Sequence, residues 1–199
     1  GGSLAHADPA AELPAVVLAL DAKLITKSIR GEKTYMAGEF FTGLFSTALE
    51  PDELLVQVII PRLPPHTGCS FQEVSRRAGD YALAGAAAVV SLDEQGKCRG
   101  AKLTCVGLAG QSIDAVKAVQ LIVGEQPSRD AIRAVAQAID AEIDPQSDIH
   151  ASAEFRRHLA RVLAERTLTA ASVALREATS DGTARCSRDP QRKIVRTYG

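Results

Sequence analysis

Two adjacent glycines, Gly1 and Gly2, followed by Ser3, are the first residues in the chain with the chemistry of a binding site. Glycine has no Cβ, so its amide can approach a ligand closely and its φ angle can be positive. Successive amides in such a turn form a concave site that attracts anions such as phosphate. A glycine pair is equally typical of a flexible terminal segment. The pair is therefore a candidate phosphate-binding turn, and the rest of the chain must support or weaken that interpretation.

A second candidate is the stretch Arg-Arg-Ala-Gly-Asp-Tyr at residues 76–81. Two arginines before a glycine turn can bind an anion, a carboxylate partner or a neighbouring subunit. The alternative is a solvated strand end, in which one arginine pairs locally with Asp80. Tyr81 comes directly before a predicted buried strand, where its ring can pack against whatever lies above the sheet.

Three side chains of metal-ligating type, His150, Glu154 and His158, follow one another at intervals of four residues. On one helix face they would form a possible zinc site, which makes metal-dependent hydrolysis a remote alternative function. However, His150 lies at or before the predicted helix start, and Phe155 and Leu159 define the buried stripe. We therefore expect no metal site. Because the sequence has no nucleophile elbow, P-loop, dinucleotide fingerprint or zincin motif, an enzymatic role requires a cofactor.

The composition is that of a folded protein with a sizeable core: 199 residues, 46% hydrophobic, with a formal net charge of −1. The low charge disfavours nucleic-acid or anionic-membrane partners, and an aromatic content of 4% disfavours a stacking platform. The cysteines at positions 69, 98, 105 and 186 lack the spacing of zinc or iron–sulfur sites, so we expect buried, reduced thiols. With no signal-peptide pattern and no apolar run of ~18–20 residues, we expect a soluble, cytoplasmic protein.

The elements that must position these residues fall into two parts, separated by a proline-rich segment. In the first part, the apolar run 15–20 predicts a short helix or a buried turn, and the three phenylalanines within 40–45 predict a core cluster. Three strands are predicted there, at residues 23–28, 33–36 and 54–60. We place a linker at 64–68, because three prolines and a glycine occur between positions 61 and 68.

The second part is predicted to be a three-stranded antiparallel meander followed by three helices. The strands are expected at residues 69–77, 82–92 and 98–109, with the second one buried on both faces. One helix is expected from a Ser112 cap to Gly124, and another from Ser128. The apolar stripe of that second helix comprises Ile132, Val135, Ala136, Ile139 and Ile143.

The third helix is expected to begin near Ser152 and to reach about residue 176. Its inward-facing residues are predicted to be Phe155, Leu159, Val162 and Leu163, and its outward-facing residues Arg156, Arg157, Arg161 and Glu165. We interpret residues 177–199 as a mobile tail, because they contain few apolar side chains.

Four segments, taken in order, resemble the FAD-binding medium subunits of molybdenum hydroxylases. Aerobic carbon monoxide dehydrogenase is nearer in kind, and xanthine dehydrogenase is further away. The resemblance covers roughly residues 1 to 176. The segments are residues 1–10 (GGSLAHADPA), 53–61 (ELLVQVIIP), 71–82 (FQEVSRRAGDYA) and 150–159 (HASAEFRRHL).

The resemblance implies an α+β chain of two domains. Residues 1–63 are similar to the C-terminal part of a FAD-binding domain of the p-cresol methylhydroxylase type. Residues 69–176 resemble the C-terminal domain of the carbon monoxide dehydrogenase flavoprotein, with three antiparallel strands and three helices. Members of the family carry a further N-terminal part of the FAD-binding domain, so we expect this chain to be N-terminally truncated relative to them.

The resemblance also implies which residues bind FAD. Gly1, Gly2 and Ser3 would hold the pyrophosphate, and Glu12 would lie near the ribityl or phosphate region. Leu55 and Gln72 correspond to positions that line the flavin. Tyr81 corresponds to an aromatic residue held beside the isoalloxazine ring.

By the same resemblance, the chain is expected to be an electron-transfer subunit of an oxidoreductase. It would pass electrons from the iron–sulfur clusters of a small partner subunit to FAD and an external acceptor. A large partner subunit would oxidise the substrate at a molybdenum cofactor. The alternative is a non-catalytic docking module with a defunct flavin site, and bound flavin would distinguish the two.

Overall fold

The computed structural model describes residues 1–77, 79–178 and 185–186, with side chains as far as residue 174. The helices are α1 (Gly2–His6), α2 (Glu12–Ala19), α3 (Ala37–Phe40), α4 (Val116–Val119), α5 (Arg129–Ala138) and α6 (Ala153–Ala178). The strands are β1 (Lys23–Ser28), β2 (Gly31–Met36), β3 (Phe41–Gly43), β4 (Ser46–Thr47), β5 (Leu54–Ile59), β6 (Thr67–Ser75), β7 (Ala82–Leu92), β8 (Cys98–Val106), β9 (Ile113–Asp114) and β10 (Arg185–Cys186). A 3₁₀ turn, Ile139–Ala141, follows α5.

The first sheet is antiparallel throughout, in the order β2-β1-β5. Ser28 pairs with Gly31, so the β1–β2 hairpin closes through a two-residue turn. Gly31 has a φ of 131°, a conformation that side chains with a Cβ rarely adopt. The predicted strands are confirmed, with β2 beginning two residues earlier than expected.

The core of the first part is aromatic and aliphatic, and it lies under α1, α2 and α3. Phe40 and Phe41 are buried in it, with their rings edge to face at 5.3 Å, which confirms the predicted cluster for these two residues. Phe45 is 53% exposed, so the prediction is wrong for this residue. It lies in the β3–β4 turn with a φ of 50°, and this turn carries its ring out of the core.

The second sheet has the order β10-β6-β7-β8-β9. Its centre, β6-β7-β8, is the predicted antiparallel meander. Residues 82–88 of β7 are all buried, as expected of a strand covered on both faces. On one side α6 packs against β6 and β7, and on the other side Ala15 of α2 packs with Ala82 and Val106. The α+β fold with three central strands and three helices is therefore confirmed.

The helix predicted from Ser112 to Gly124 is mostly absent. Ile113 pairs with Cys105 as part of β9, and only the short helix α4 follows, with Ala115 at its N-cap. Ser112 therefore precedes a strand and does not cap a helix. Gly124 still ends the segment, with a φ of 84° and its amide donating to the carbonyl of Cys98 at 2.8 Å.

The second predicted helix, expected to end at residues 144–145, is confirmed as α5, but the α-helix ends at Ala138 and the 3₁₀ turn Ile139–Ala141 follows it, so Ile143 lies beyond the helix. Ser128 is its N-cap, and the Ser128 hydroxyl oxygen accepts a hydrogen bond from the Ala131 amide at 3.2 Å. The predicted stripe is buried along its whole length: Ile132, Val135, Ala136, Ile139 and Ile143.

The third predicted helix is confirmed as α6, but two side chains in its first turn, those of Phe155 and Arg156, face the opposite way from the prediction. Arg156 is buried, whereas Phe155 is 39% exposed. Ala160, Ala164 and Leu168 form the buried row of the helix, and Arg156 lies four residues before Ala160 on the same row. The predicted outward position of Arg156 and inward position of Phe155 are therefore wrong.

The predicted mobile tail, residues 177–199, lies outside the described residues except at two places. Residues 177–178 end α6, and residues 185–186 form β10, which pairs in parallel with β6. None of the helices described above is long and apolar enough to cross a membrane.

Candidate functional site

Gly1, Gly2 and Ser3 lie at the start of helix α1, with Gly1 as its N-cap. The carbonyl of Gly1 accepts from the Ala5 amide at 3.0 Å, and buried Leu4 fixes the first turn against the core. The first amides of a helix have no acceptor within it, so this turn presents free donors. A Cβ built on Gly2 would meet nothing within 4 Å. The donors of a helix start in open space suit an anion such as a pyrophosphate.

The amides at the glycine pair are free because the pair lies at the beginning of a helix. The left-handed residue of the segment is Ala7, with a φ of 52°, which ends α1. After it, the carboxylate of Asp8 accepts from the Ala10 amide at 2.9 Å, so the following loop is closed locally. The conformation therefore differs from a glycine turn with positive φ, although free amides are present in both.

Leu55 is the predicted site residue that the structure brings to the glycine pair. A Cβ built on Gly1 would lie 3.6 Å from the carbonyl oxygen of Leu55. The Leu55 side chain is half-buried against the first core. Glu12 lies farther along the chain as the first residue of α2, with an exposed side chain. A carboxylate there also interacts favourably with the positive end of the helix dipole.

Gln72 lies in the middle of β6, paired with Ala86 of β7. Successive strand residues face opposite sides of a sheet. Phe71 packs against the cluster that contains Ala15 of α2, whereas Val74 packs against the core under α6. Gln72 therefore shares the helix-covered face with Val74, and Phe71 is the residue that faces the first part.

Tyr81 follows the loop between β6 and β7 and is 63% exposed. Its amide donates to the Asp80 carboxylate at 3.0 Å, and the same carboxylate accepts from Arg76 at 3.1 Å. The predicted local pair between an arginine and Asp80 is thus present. The exposed Tyr81 ring is available for a further contact.

The two parts of the chain are joined by residues that the sequence did not single out. The Thr104 hydroxyl donates to the carbonyl of Ala15 at 2.9 Å in a buried hydrogen bond. The Gly107 amide donates to the carbonyl of Pro9 at 2.8 Å. Lys102 pairs with Asp21 at the end of α2. Only Gly107, in a Gly-Leu-Ala-Gly stretch, carried a sequence signal of special backbone geometry.

The histidines do not form a metal centre. His150 precedes α6, and its amide donates to the Asp148 carboxylate at 2.8 Å. Glu154 and His158 are on α6 with exposed side chains. Within the described ranges, no three His, Cys, Asp or Glu side chains are grouped so that they could hold a metal ion.

The cysteines in the described core behave as small apolar residues. Cys98 and Cys105 are buried. Burial raises the pKa of the Cys105 thiol to about 12, so this group stays protonated at neutral pH. Cys69 is partly exposed on β6.

Both parts of the chain match known protein families. Residues 1–63 match the FAD binding domain in molybdopterin dehydrogenase, and residues 69–171 match the CO dehydrogenase flavoprotein C-terminal domain. The second match alone covers more than half of the chain. The chain belongs to this flavoprotein family. FAD is the cofactor of this family, and the free donors at the start of α1 have the chemistry to bind a pyrophosphate.

Relatives within the family include subunits of dehydrogenases. The alpha subunit of the 6-hydroxypseudooxynicotine dehydrogenase complex of Paenarthrobacter nicotinovorans is 44% identical over 171 residues, covering 86% of this chain and 58% of the relative. The carbon monoxide dehydrogenase medium chain of Afipia carboxidovorans is 33% identical, covering 84% of this chain and 58% of the relative. This chain thus spans about three fifths of the length of its relatives.

Solved structures of the family share the fold. Carbon monoxide dehydrogenase from Hydrogenophaga pseudoflava superimposes with a TM-score of 0.83 at 29% identity, covering 87% of this chain and 60% of that one. Quinoline 2-oxidoreductase from Pseudomonas putida 86 gives a TM-score of 0.81 at 34% identity, covering 88% of this chain and 60% of that one. The expected resemblance to carbon monoxide dehydrogenase flavoproteins is therefore confirmed.

Proposed function

We propose that this chain forms one side of the FAD site of a molybdenum-containing dehydrogenase and takes part in electron transfer. The observation that carries the proposal is the pair of family matches, which cover residues 1–63 and 69–171. Electrons would pass from the iron–sulfur clusters of a small partner subunit to FAD and then to an external acceptor. The substrate would be oxidised at a molybdenum cofactor in a large partner subunit.

In this proposal, the start of α1 holds the pyrophosphate of FAD. The amides of Gly1, Gly2 and Ser3 would donate to the phosphate oxygens, and Leu55 would pack beside the same turn. FAD, when bound, supplies the redox chemistry of the subunit. The protein residues bind and orient it, and Tyr81, with its exposed ring, would lie beside the isoalloxazine. Glu12 and Gln72 are proposed as more distant parts of the same site.

The exposed edge of the first sheet supports a larger FAD-binding domain. β5 is an edge strand, and its outward side chains Leu54 and Val56 are 71% and 51% exposed. Ile59 and Ile60 continue the apolar surface. Apolar edge strands are normally covered or paired in folded proteins. We propose that the remaining part of the family's FAD-binding domain covers this strand, in the same polypeptide or in another one.

Flavin retention by a glycine variant tests the proposed cradle. The chain, with its partner subunits, is purified in excess FAD and the bound flavin is measured by its visible absorption. Gly2→Val should abolish retention, because a β-branched side chain would occupy the space at the free amides. Gly100→Val is the matched control, because a Cβ at Gly100 on β8 also meets nothing within 4 Å and its position is remote from α1.

Two outcomes would contradict the proposal. Unchanged flavin retention in Gly2→Val would exclude the cradle at α1. Absence of flavin from the unmodified chain, with and without its partners, would favour the second candidate function, a docking module with a defunct flavin site.

A further inference from the structure

The strand that follows Tyr81 contains a bulge. Val74 of β6 pairs with Ala84 of β7, whereas the next residue, Ser75, pairs with Ala82. Leu83 is therefore one extra residue in β7. A bulge leaves the backbone groups of the extra residue outside the sheet ladder and turns the strand, so that neighbouring side chains point in a new direction. Tyr81, two residues before Leu83, lies at the end of the strand that this bulge turns.

Arg156 of α6 binds the carbonyl that the bulge leaves outside the ladder. Its Nη1 donates to the carbonyl oxygen of Leu83 at 2.5 Å and to that of Gly107 at 3.3 Å. Its Nη2 donates to the Asp148 carboxylate at 2.6 Å. The residue is only 7% exposed. A buried guanidinium destabilises the fold unless it is hydrogen-bonded. The surrounding backbone must therefore keep its carbonyl acceptors within reach of Arg156.

Gly107 connects this arrangement to the proposed flavin cradle. Its φ is 70°, and a Cβ built on it would lie 3.1 Å from the carbonyl oxygen of Ala82 and 3.2 Å from that of Leu83. The backbones of β7 and β8 thus approach each other closely at the bulge. The Gly107 amide also donates to the carbonyl of Pro9, so Gly107 connects the backbone that Arg156 binds to the segment that follows α1.

We propose that Arg156 is a positioning residue for Tyr81. By holding the Leu83 bulge and Gly107, it sets the place of the Tyr81 ring relative to the segment that begins with Gly1. This inference rests on the proposed function, since the role of Tyr81 beside the flavin comes from it. The contacts of Arg156 are to protein groups, so it acts through Tyr81 and not on the cofactor.

The loop before Tyr81 cannot fix the ring by itself. Its ion pair, Arg76 with Asp80, is exposed, and exposed pairs contribute little to holding a conformation. The buried end of the hairpin, at Leu83, is therefore the part that determines where Tyr81 lies.

Hydrogen exchange in the cofactor-free chain tests the first half of the proposal. In Arg156→Lys, a single ammonium replaces the planar fork and cannot reach the two carbonyls and the carboxylate together. The amides of residues 79–85 and of Gly107 should exchange roughly tenfold faster. Arg157→Lys is the matched control: Arg157 is the next residue of α6, and it donates to the carbonyls of Asp140 and Ile143 and to neither Leu83 nor Gly107. Equal protection of the 79–85 amides in both variants would overturn the proposal.

Asp148→Asn provides a second variant if Arg156→Lys does not fold. Asp148 is about half exposed, and its replacement leaves the donations of Arg156 to Leu83 and Gly107 in place while removing the counter-charge. Faster exchange at the same amides, by a smaller factor than in Arg156→Lys, is expected. Protection identical to that of the unmodified chain would overturn the proposal.

The reduction potential of the bound flavin tests the second half. Arg156→Lys and Tyr81→Ala should each shift the potential, and Arg156→Lys should cause no further shift in the Tyr81→Ala background, since it acts through that ring. Additive shifts would overturn the inference while leaving the proposed function intact. Absence of FAD from the unmodified complex would instead overturn the proposed function, and the exchange experiment would still decide whether Arg156 holds the bulge.

Discussion

At the scale of single residues, Asp148 illustrates how hydrogen bonds control a carboxylate at the base of α6. One of its oxygens accepts from the amides of His150 and Ala151, and the other accepts from Arg156. Burial acts to raise the pKa of this carboxyl group, but the two amides and the guanidinium outweigh it and lower the pKa to about 2. The ionised form is therefore the one that the fold stabilises.

This depressed pKa predicts a pH-dependent contribution to stability. An unfolded aspartate has a pKa of about 3.9, so the contribution is present above about pH 4 and is lost as the pH falls towards 2. At pH 6, the urea midpoint of Asp148→Asn should be lower than that of the unmodified chain. The difference between the two midpoints should become smaller as the pH falls to 3. The measurement is urea denaturation at both pH values. A constant difference between the two proteins would contradict this account of Asp148.

Tyr81 allows a second prediction at this scale. Tyr81→Ala should leave FAD binding measurable and change how the flavin is reduced, because the ring is proposed to lie beside the isoalloxazine while the phosphates are held elsewhere. Tyr81→Phe is the control, because it keeps the ring and removes the hydroxyl. The reduction potential of the bound flavin distinguishes them. Identical potentials in all three proteins would contradict a role for the ring.

At the scale of elements, helix α5 depends on its N-cap. Ser128→Ala should reduce the free energy of unfolding by about 1 kcal/mol, since the Ala131 amide loses its acceptor. Urea denaturation measures the change. A free energy of unfolding equal to that of the unmodified protein would show that water replaces the cap without cost.

The close approach of β7 and β8 at Gly107 gives another prediction for an element. Gly107→Ala should destabilise the protein by about 1–3 kcal/mol, because a Cβ is strained at a φ of 70° and would crowd the carbonyls of Ala82 and Leu83. Gly100→Ala on β8 is the control, because it has space for a Cβ. Thermal or urea unfolding of both variants tests this, and equal stability would contradict it.

Elements with strong local patterns were predictable from the sequence, and elements set by distant partners were not. The small-apolar run of β7 and the 3.6-residue stripe of α5 are local signals, and both are confirmed. The helix expected after Ser112 failed because Ile113 pairs with Cys105 on the neighbouring strand. Arg156 faces inward because it donates to the carbonyls of Leu83 and Gly107. These acceptors are 73 and 49 residues away in the chain. Periodicity alone contains neither fact.

At the scale of the whole molecule, the two parts meet through α2 and the loop after α1. Thr104 donates to Ala15, and Gly107 donates to Pro9, so the second sheet contacts the first part directly. Lys102 adds a pair with Asp21. These contacts connect the β6–β7 hairpin, which contains Tyr81, with the part of the chain that begins with Gly1 and Gly2.

Only part of the candidate site follows from sequence. The resemblance predicted the cofactor and the family, and the structure places the backbone of Gly1 next to that of Leu55. Gln72, in contrast, shares the face covered by α6, a consequence of strand alternation that becomes visible only once the register of β6 is known. The FAD-binding roles stay predictions for all seven residues: Gly1, Gly2, Ser3, Glu12, Leu55, Gln72 and Tyr81.

The FAD content of the proposed complex of this chain with its partner subunits tests the central claim most directly. The complex is isolated from its source without added flavin, and FAD released by denaturation is counted against copies of the chain. Our account predicts FAD in proportion to the chain, lost on Gly2→Val substitution and kept on Gly100→Val substitution. A complex that contains the unmodified chain and no FAD would contradict it.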